Sequence, residues 1–370
     1  MRQKKLLTCS VLNRPFIIPI FIPDAGCPHK CAFCNQPRIT GTKQGIPSPE
    51  RIRRICGEFL SYKRKQRKNV QIAFYGGNFM GLRTSEIGEL LGQAAHFAER
   101  GAIDGIRFST RPDTIDHTGL ELIKDFPVST VELGVQSMDD RVLEMARRGH
   151  SAQDTVTAVR LLKARNYEIG LQMMVGLPGD REAGALHTAR RIADMRPDFV
   201  RIYPVLVLEG SLLGRWYEEG RYTPLSLEKC VRLVKDIYLL FAEKKIPVIR
   251  MGLQASEALE KESLILAGPY HPAFGHLVHS EIFLDKAVSA IESVEPENAA
   301  GNTVLIRVNP RNISKMRGLK NRNIQILRNR FHLRSLKITS DPLLSEEELS
   351  LETQKTSLRI SPQSENQNPV

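Results

Sequence analysis

Three thiols stand close together in the stretch Ala25-Gly-Cys27-Pro-His-Lys-Cys31-Ala-Phe33-Cys34. Their C-x3-C-x2-C spacing follows directly on the apolar run Phe16–Ile22, which reads as a buried strand. Gly26 and Pro28 then break the chain into a loop. Thiolates are soft ligands suited to iron or zinc. A structural zinc or a saturated iron–sulfur cluster usually takes four protein ligands, and no fourth cysteine lies nearby. Three ligands therefore leave one metal position open to something other than the polypeptide. The competing readings are a zinc site completed by Cys9 or His29, and core cysteines at chance spacing. A disulfide is disfavoured because nothing in the sequence suggests secretion.

The rest of the chain must hold that loop. Its 370 residues are 41% hydrophobic and 25% charged, which fits a soluble protein with one large domain and a second small one. No apolar run is long enough to span a membrane. The basic start Met1-Arg-Gln-Lys-Lys lacks a signal-peptide core, and the six cysteines are half clustered and half scattered, so a reducing cytoplasm is expected. Cys56 and Cys230 fall in helical patterns and read as core thiols. The net charge of +12 admits a polyanion partner such as RNA, or a plain solvated surface.

Strand and helix patterns alternate. Strands are expected at Phe16–Ile22, Val70–Tyr75, Gly105–Phe108, Val131–Val135, Glu168–Val175, Phe199–Val207 and Val248–Met251. Between them lie helices at Pro49–Lys68, Thr84–Arg100, Asp116–Lys124, Asp139–Arg165 with a break at Arg148-Gly-His150, Arg181–Met195 and Leu225–Lys244. Such alternation predicts an α/β fold: a parallel sheet closing into a partial or complete (β/α) barrel. Chemistry in barrels collects at the carboxyl ends of the strands. The cysteines, Gly76-Gly77, Gln136 and Gly176-Leu-Pro all fall at strand ends, so the topology would gather them on one rim.

The cysteine spacing, with Phe33 before the last thiol, resembles the cluster motif of the radical S-adenosylmethionine (SAM) superfamily. That resemblance implies that Cys27, Cys31 and Cys34 bind three irons of a [4Fe–4S] cluster while SAM chelates the fourth. It implies that one electron cleaves SAM to a 5′-deoxyadenosyl radical. It further implies SAM contacts from the backbone of Gly76 and Gly77, and from Gln136, Arg148 and Gln172. Asn78 stands where an acidic residue is frequent, Ser109 where some relatives carry Glu, and Gly176-Leu177-Pro178 where the adenine is backed. Within the superfamily, Val131-Glu-Leu-Gly-Val-Gln-Ser137, Arg148-Gly-His150, Met173–Gly179, Arg201-Ile-Tyr203-Pro and Gly220-Arg-Tyr222 are similar to the catalytic subunit of Elongator, which modifies the wobble uridine of transfer RNA. Archaeal and eukaryotic members have a longer cysteine spacing and a following acetyltransferase domain. The stretch after Arg250 is too short for that domain, so the radical module alone is expected.

The remaining expectations concern the C-terminal part. Gln254–Leu266 and Ile282–Glu292 read as helices, Thr303–Val308 as a strand, and Gly268–His279 as a three-histidine loop that packs rather than binds metal. From Gly301 to Ser340 the charges are all basic, which suits a polyanion surface. The domain plan is an N-terminal arm 1–15, a barrel 16–253, a small basic α+β extension 254–340 and a disordered tail 341–370. The leading reading is a radical SAM enzyme acting on RNA, most of all transfer RNA, with an external electron donor. The alternatives are a radical SAM enzyme acting on a tetrapyrrole, as oxygen-independent coproporphyrinogen oxidases do, and a metal-stabilised RNA-binding module. Tyr203 is a candidate for quenching the product radical.

Overall fold

The computed structural model describes residues 15–41, 45–62, 69–253, 264–294, 303–353 and 357–360. They fall into two units, Met1–Leu227 with Ile237–Tyr270, and Glu228–Asp236 with His271–Val370. The boundary expected at 253/254 therefore falls later in the chain, and part of the helix Leu227–Glu243 belongs to the second unit.

The first unit is built on seven parallel strands curled into a half-barrel, in the order β1-β2-β3-β4-β5-β6-β8. The strands are β1 (Phe16–Phe21), β2 (Val70–Tyr75), β3 (Gly105–Thr110), β4 (Val128–Gln136), β5 (Glu168–Val175), β6 (Phe199–Pro204) and β8 (Val248–Met251), with a short β7 (Val207–Leu208) outside the sheet. Along each strand, one face is apolar. Ile72, Phe74, Ile106, Phe108, Leu133, Leu171, Met173, Val200 and Ile202 are fully buried, on a sheet packed against crossover helices such as Thr84–Glu99, Ala152–Ala164 and Glu182–Asp194. The alternate positions carry Gln71, Tyr75, Arg107, Ser109, Glu132, Gln172, Arg201 and Tyr203. Because side chains alternate across a strand, these polar groups share the other, concave face.

Helix starts follow local chemistry. Ser48 caps Pro49–Ser61 by accepting from the Arg51 N–H, Asp116 caps His117–Ile123, and Ser151 forms a reciprocal capping box with Asp154. The expected break around Arg148-Gly-His150 separates helix Asp140–Met145 from Ala152–Ala164.

Three expectations are corrected here. The strand expected to run to Val207 ends at Pro204, which has no N–H for the next rung of the ladder. Val207–Leu208 instead pairs antiparallel with β9 (Ile265–Ala267). Ile265 and Leu266 therefore lie in a strand and not in the expected helix, whose residues 254–263 lie outside the described ones. The helix expected over Pro49–Lys68 is described as far as Ser61, and the basic segment 63–68 also lies outside the described residues.

The second unit is a four-stranded mixed sheet, order β11-β10-β12-β13, formed by β10 (Thr303–Val308), β11 (Ser335–Ser340), β12 (Leu349–Glu352) and β13 (Ser357–Ile360). Its core joins Phe283, Leu284, Ala287 and Ile291 of the helix Phe274–Val294 to Ile306, Val308, Leu327, Leu349 and Leu351. The tail was expected to be disordered from 341, yet β12 and β13 are strands of this sheet; only 354–356 and 361–370 fall outside the described residues. The tail is rich in Ser and Glu, but Leu349 and Leu351 alternate with polar neighbours, so their side chains reach the core. The histidine loop is also shorter than expected: His276 and His279 lie in the helix, and only His271 precedes it. Among the described residues, no three His, Cys, Asp or Glu side chains group to hold a metal ion.

If β12 closes this core, Leu351→Ala should destabilise the second unit by about 2–5 kcal/mol. Denaturant unfolding with a probe in that unit measures this, and an unchanged midpoint would mean that the strand does not pack.

Candidate functional site

The cysteine loop leaves the carboxyl end of β1 and is pinned from several sides. The Ala32 N–H donates to the Ala146 carbonyl at 3.0 Å, and the Leu213 N–H donates to the Ala32 carbonyl at 2.8 Å. Phe33 packs against an apolar cluster of Val142, Ala146, Leu177, Val205 and Leu213. Two side-chain amides staple the loop to the end of β2. Gln36 Oε1 accepts from both the Asp24 and the Gly77 N–H groups, each at 2.7 Å. Asn78 is fully buried. Its Nδ2 donates to the Gly26 carbonyl at 3.0 Å, while its Oδ1 accepts from Thr110 Oγ1 at 2.7 Å and from the Arg111 N–H and Thr114 Oγ1 at 3.0 Å.

The glycines here are forced by space. A Cβ on Gly77, at φ +38°, would stand 2.4 Å from the Ala25 carbonyl oxygen, and one on Gly26, at φ +70°, would stand 2.2 Å from that of Asn78. Gly76-Gly77 therefore lets two loops touch backbone to backbone beside the thiols. Asn78, the residue after the two glycines, clamps the loop with both its donor and its acceptor.

Arg148 reaches the same place from the break between two helices. It is buried; its Nη1 donates to Cys31 Sγ at 3.1 Å and its Nη2 donates to the Gly134 carbonyl at 2.6 Å. Its Nε has no partner, and neither does Oε1 of the buried Gln136. Gln136 sits at φ +67° beside a register shift between β4 and β5, which turns it out of the strand's alternation. Cys27, Cys31, Gly76, Gly77 and Gln136 thus gather at the carboxyl ends of β1, β2 and β4, and Arg148 joins them from the break between two helices.

Burial first, and then the neighbouring Cys31 and Asp24, push the Cys27 thiol up to about 11, against the pull of the Arg148 and Arg111 charges. Cys34 is raised by the same main cause. A metal would have to displace these protons on binding. The donor set suits a cluster. The charge of Cys31 bears on both Cys27 and Cys34, so the loop brings three soft sulfur donors within electrostatic reach of one another, the donor type that an iron–sulfur cluster takes. Two buried polar atoms beside them, Arg148 Nε and Gln136 Oε1, remain for a ligand. Of the residues suggested to complete a zinc site, His29 lies 3.2 Å from Arg111 Nη1, and Cys9 lies outside the described residues.

Gln172 lies deeper, on the concave face of the sheet, in a network that the motifs did not single out. Glu132 is fully buried. It accepts from Arg107 Nη1 at 3.1 Å, Arg201 Nη2 at 2.9 Å, the Tyr75 hydroxyl at 3.1 Å and Gln172 Nε2 at 3.0 Å. Arg201 Nε lies 2.9 Å from the other Glu132 oxygen but off the hydrogen-bonding direction. Arg201 Nη1 donates to the Tyr203 hydroxyl at 3.3 Å. A carboxylate only accepts, so Glu132 fixes which way the Gln172 amide points: its N–H groups face Glu132 and Ser109, and its oxygen is left as an acceptor. Sequence reading missed Glu132, Arg107, Arg201 and Tyr75 as a group. Polar residues at every second position of strands buried by crossover helices were the available signal. Gly176 is held separately, its carbonyl accepting from the Tyr222 hydroxyl at 2.5 Å.

The comparisons with known proteins agree with this geometry. A model described as "Radical SAM superfamily" matches residues 21–192, and one described as "Radical_SAM C-terminal domain" matches 197–283. The tRNA uridine(34) acetyltransferase of Dehalococcoides mccartyi is 29% identical over 248 residues, 58% of this chain and 54% of that protein. That of Methanocaldococcus infernus is 33% identical over 274 residues, 63% of this chain and 50% of its own length. The chain therefore spans about half the length of these two relatives. The solved archaeal Elp3 of Methanocaldococcus infernus superposes with a TM-score of 0.56 at 20% identity, over 74% of this chain and 63% of that one, which establishes the fold.

Two outcomes follow. Asn78→Asp removes the donor to the Gly26 carbonyl and sets acceptor against acceptor, so it should cost about 1–3 kcal/mol in unfolding experiments at neutral pH. His150, pushed down to about 4 by burial and then by Arg148, stays neutral in the fold while the unfolded chain takes up its proton near 6.5. Stability should therefore fall as pH drops from about 6.5 to about 4 and level off below, and His150→Gln should flatten part of that slope.

Proposed function

Since this chain belongs to the radical SAM superfamily and resembles the catalytic subunit of Elongator, we propose that it is an RNA-modifying radical SAM enzyme whose substrate is transfer RNA. One observation carries the site reading: the cysteine loop is stapled to Gly76-Gly77 and joined through Arg148 to the end of β4, so thiols, open backbone and unpartnered polar atoms meet at one rim.

In this reading Cys27, Cys31 and Cys34 hold a [4Fe–4S] cluster, and the Gly76-Gly77 backbone, Gln136 and Arg148 hold SAM. When bound, cluster and SAM together supply one-electron reductive cleavage of the sulfonium and a 5′-deoxyadenosyl radical. The polypeptide supplies placement. Arg148 Nε is a buried cationic donor ready for a carboxylate, and Gln136 Oε1 is a buried acceptor ready for an N–H or O–H. Gln172, locked by Glu132, offers an acceptor where some relatives carry Asp, so it can do the carboxylate's work toward hydroxyl groups without adding charge. The apolar cluster around Phe33 and Leu177 keeps water from one side of the loop.

The substrate reading is supported by the relatives, named for transfer-RNA uridine. The basic C-terminal segment supports it less fully than its sequence suggested. Arg307, Arg311, Arg322 and Arg330 are paired with Glu352, Glu346, Glu281 and Glu292. Exposed cations without an ion-pair partner among the described residues are Arg317, Lys320, Arg328, Arg334 and Lys337, and these are the ones left for phosphates. No described helix is long and apolar enough to cross a membrane. A low-potential donor must supply the electron.

Anaerobic incubation with reductant, SAM and total transfer RNA, followed by nucleoside mass spectrometry, tests the whole reading. A new modified nucleoside and 5′-deoxyadenosine are expected; Cys27→Ala, Cys31→Ala or Cys34→Ala should abolish both and lower bound iron. Deoxyadenosine without any RNA product would retain the chemistry and remove the substrate. Arg328→Glu with Arg334→Glu should weaken transfer-RNA binding and flatten its salt dependence by about one unit of slope per lost phosphate contact.

A further inference from the structure

Among the described residues, Cys31 receives a hydrogen bond from a charged side chain, whereas no side chain donates to Cys27 or Cys34. The donor is Arg148, 7% exposed, with the Gly134 carbonyl fixing its other terminal nitrogen. Gly134 lies close beneath it: a Cβ there would stand 3.3 Å from Arg148 Nη2 and 3.0 Å from Gln136 Nε2, a tight contact. The second guanidinium nearby, Arg111, is already spent on a bidentate pair with Asp113 at 2.9 and 2.8 Å.

We propose that Arg148 is a positioning residue that raises the reduction potential of the cluster through the Cys31 sulfur. The inference rests on the cluster reading above. Reduction adds one electron, from an external donor of the flavin or iron–sulfur class, and takes up no proton. Were a cluster held by these thiols, part of the added negative charge would fall on their sulfurs. A guanidinium donating to one of those sulfurs withdraws density from it and stabilises the reduced form more than the oxidised one. Arg148 stays protonated throughout, because arginine does not release its proton in proteins. Burial makes the effect large, since little water screens the pair. The bond is one-sided: Cys31 is the one thiol of the three that a charged side chain donates to among the described residues, so an iron held there would have a different sulfur environment from its neighbours. Arg148 Nε is a separate donor with no partner, so one side chain can serve the thiolate and an anionic ligand together.

The experiment compares anaerobically reconstituted wild type, Arg148→Lys and Arg148→Met. Each is titrated with a reductant, and the reduced cluster is followed by electron paramagnetic resonance. Iron content and SAM binding by equilibrium dialysis are measured alongside. Arg148→Met with full iron should show a lower midpoint potential and an altered resonance before SAM is added, and Arg148→Lys should recover part of the shift. An unchanged potential in Arg148→Met, with or without loss of SAM binding, overturns the proposal. So does equal loss of iron in both variants, which would make the residue merely structural. Failure of the wild type itself to assemble a cluster refutes the cluster reading and is told apart by its iron content.

Discussion

A loop carrying three thiols has little regular structure to hold it, and two carboxamides tie it to the ends of β2 and β3. Gln36 binds the N–H groups of Asp24 and Gly77 with one oxygen, and Asn78 joins the Gly26 carbonyl to the exit of β3 with its two ends. A buried carboxamide can donate and accept at once, which neither a carboxylate nor a hydroxyl of the same reach does with the same geometry. Asn78, after the two glycines, spends its side chain on the protein itself.

Below the rim, the half-barrel interior is charged. Glu132, with no exposure, is matched by Arg107 and Arg201 and tied to Tyr75 and Gln172. A buried charge cluster of this kind adds little to net stability, because desolvation offsets most of the Coulomb attraction. What it does provide is direction. Each donor and acceptor has one satisfied arrangement, so Gln172 presents its oxygen and the tyrosine hydroxyls are held in place. The fold thus carries an apolar face for packing and a polar, hydrogen-bonded face on the same strands.

The alternation of strands and helices, the loop after β1, and the placing of Gly76, Gly77 and Gln136 at strand ends were legible in the sequence, because period and turn residues are local properties. The C-terminal part was misread where composition spoke louder than period. The tail's polar residues hid Leu349 and Leu351, whose alternation is too short to stand out. The run of basic residues suggested a bare cationic surface, while Glu281, Glu292, Glu346 and Glu352 lie outside the run, 35 to 45 positions from the arginines they pair with, and neutralise part of it in space.

By itself, then, the sequence determined that three thiols stand together on the loop after β1, and the barrel topology that brings strand ends together. These depend on residue type and on spacing along one segment. Only the tertiary structure decided which polar groups are already engaged. Arg148 meets Cys31 across 117 positions of chain, and Glu132 meets Arg201 across 69. Whether a donor is free or committed depends on distance in space and on burial, and neither can be read from neighbours along the chain.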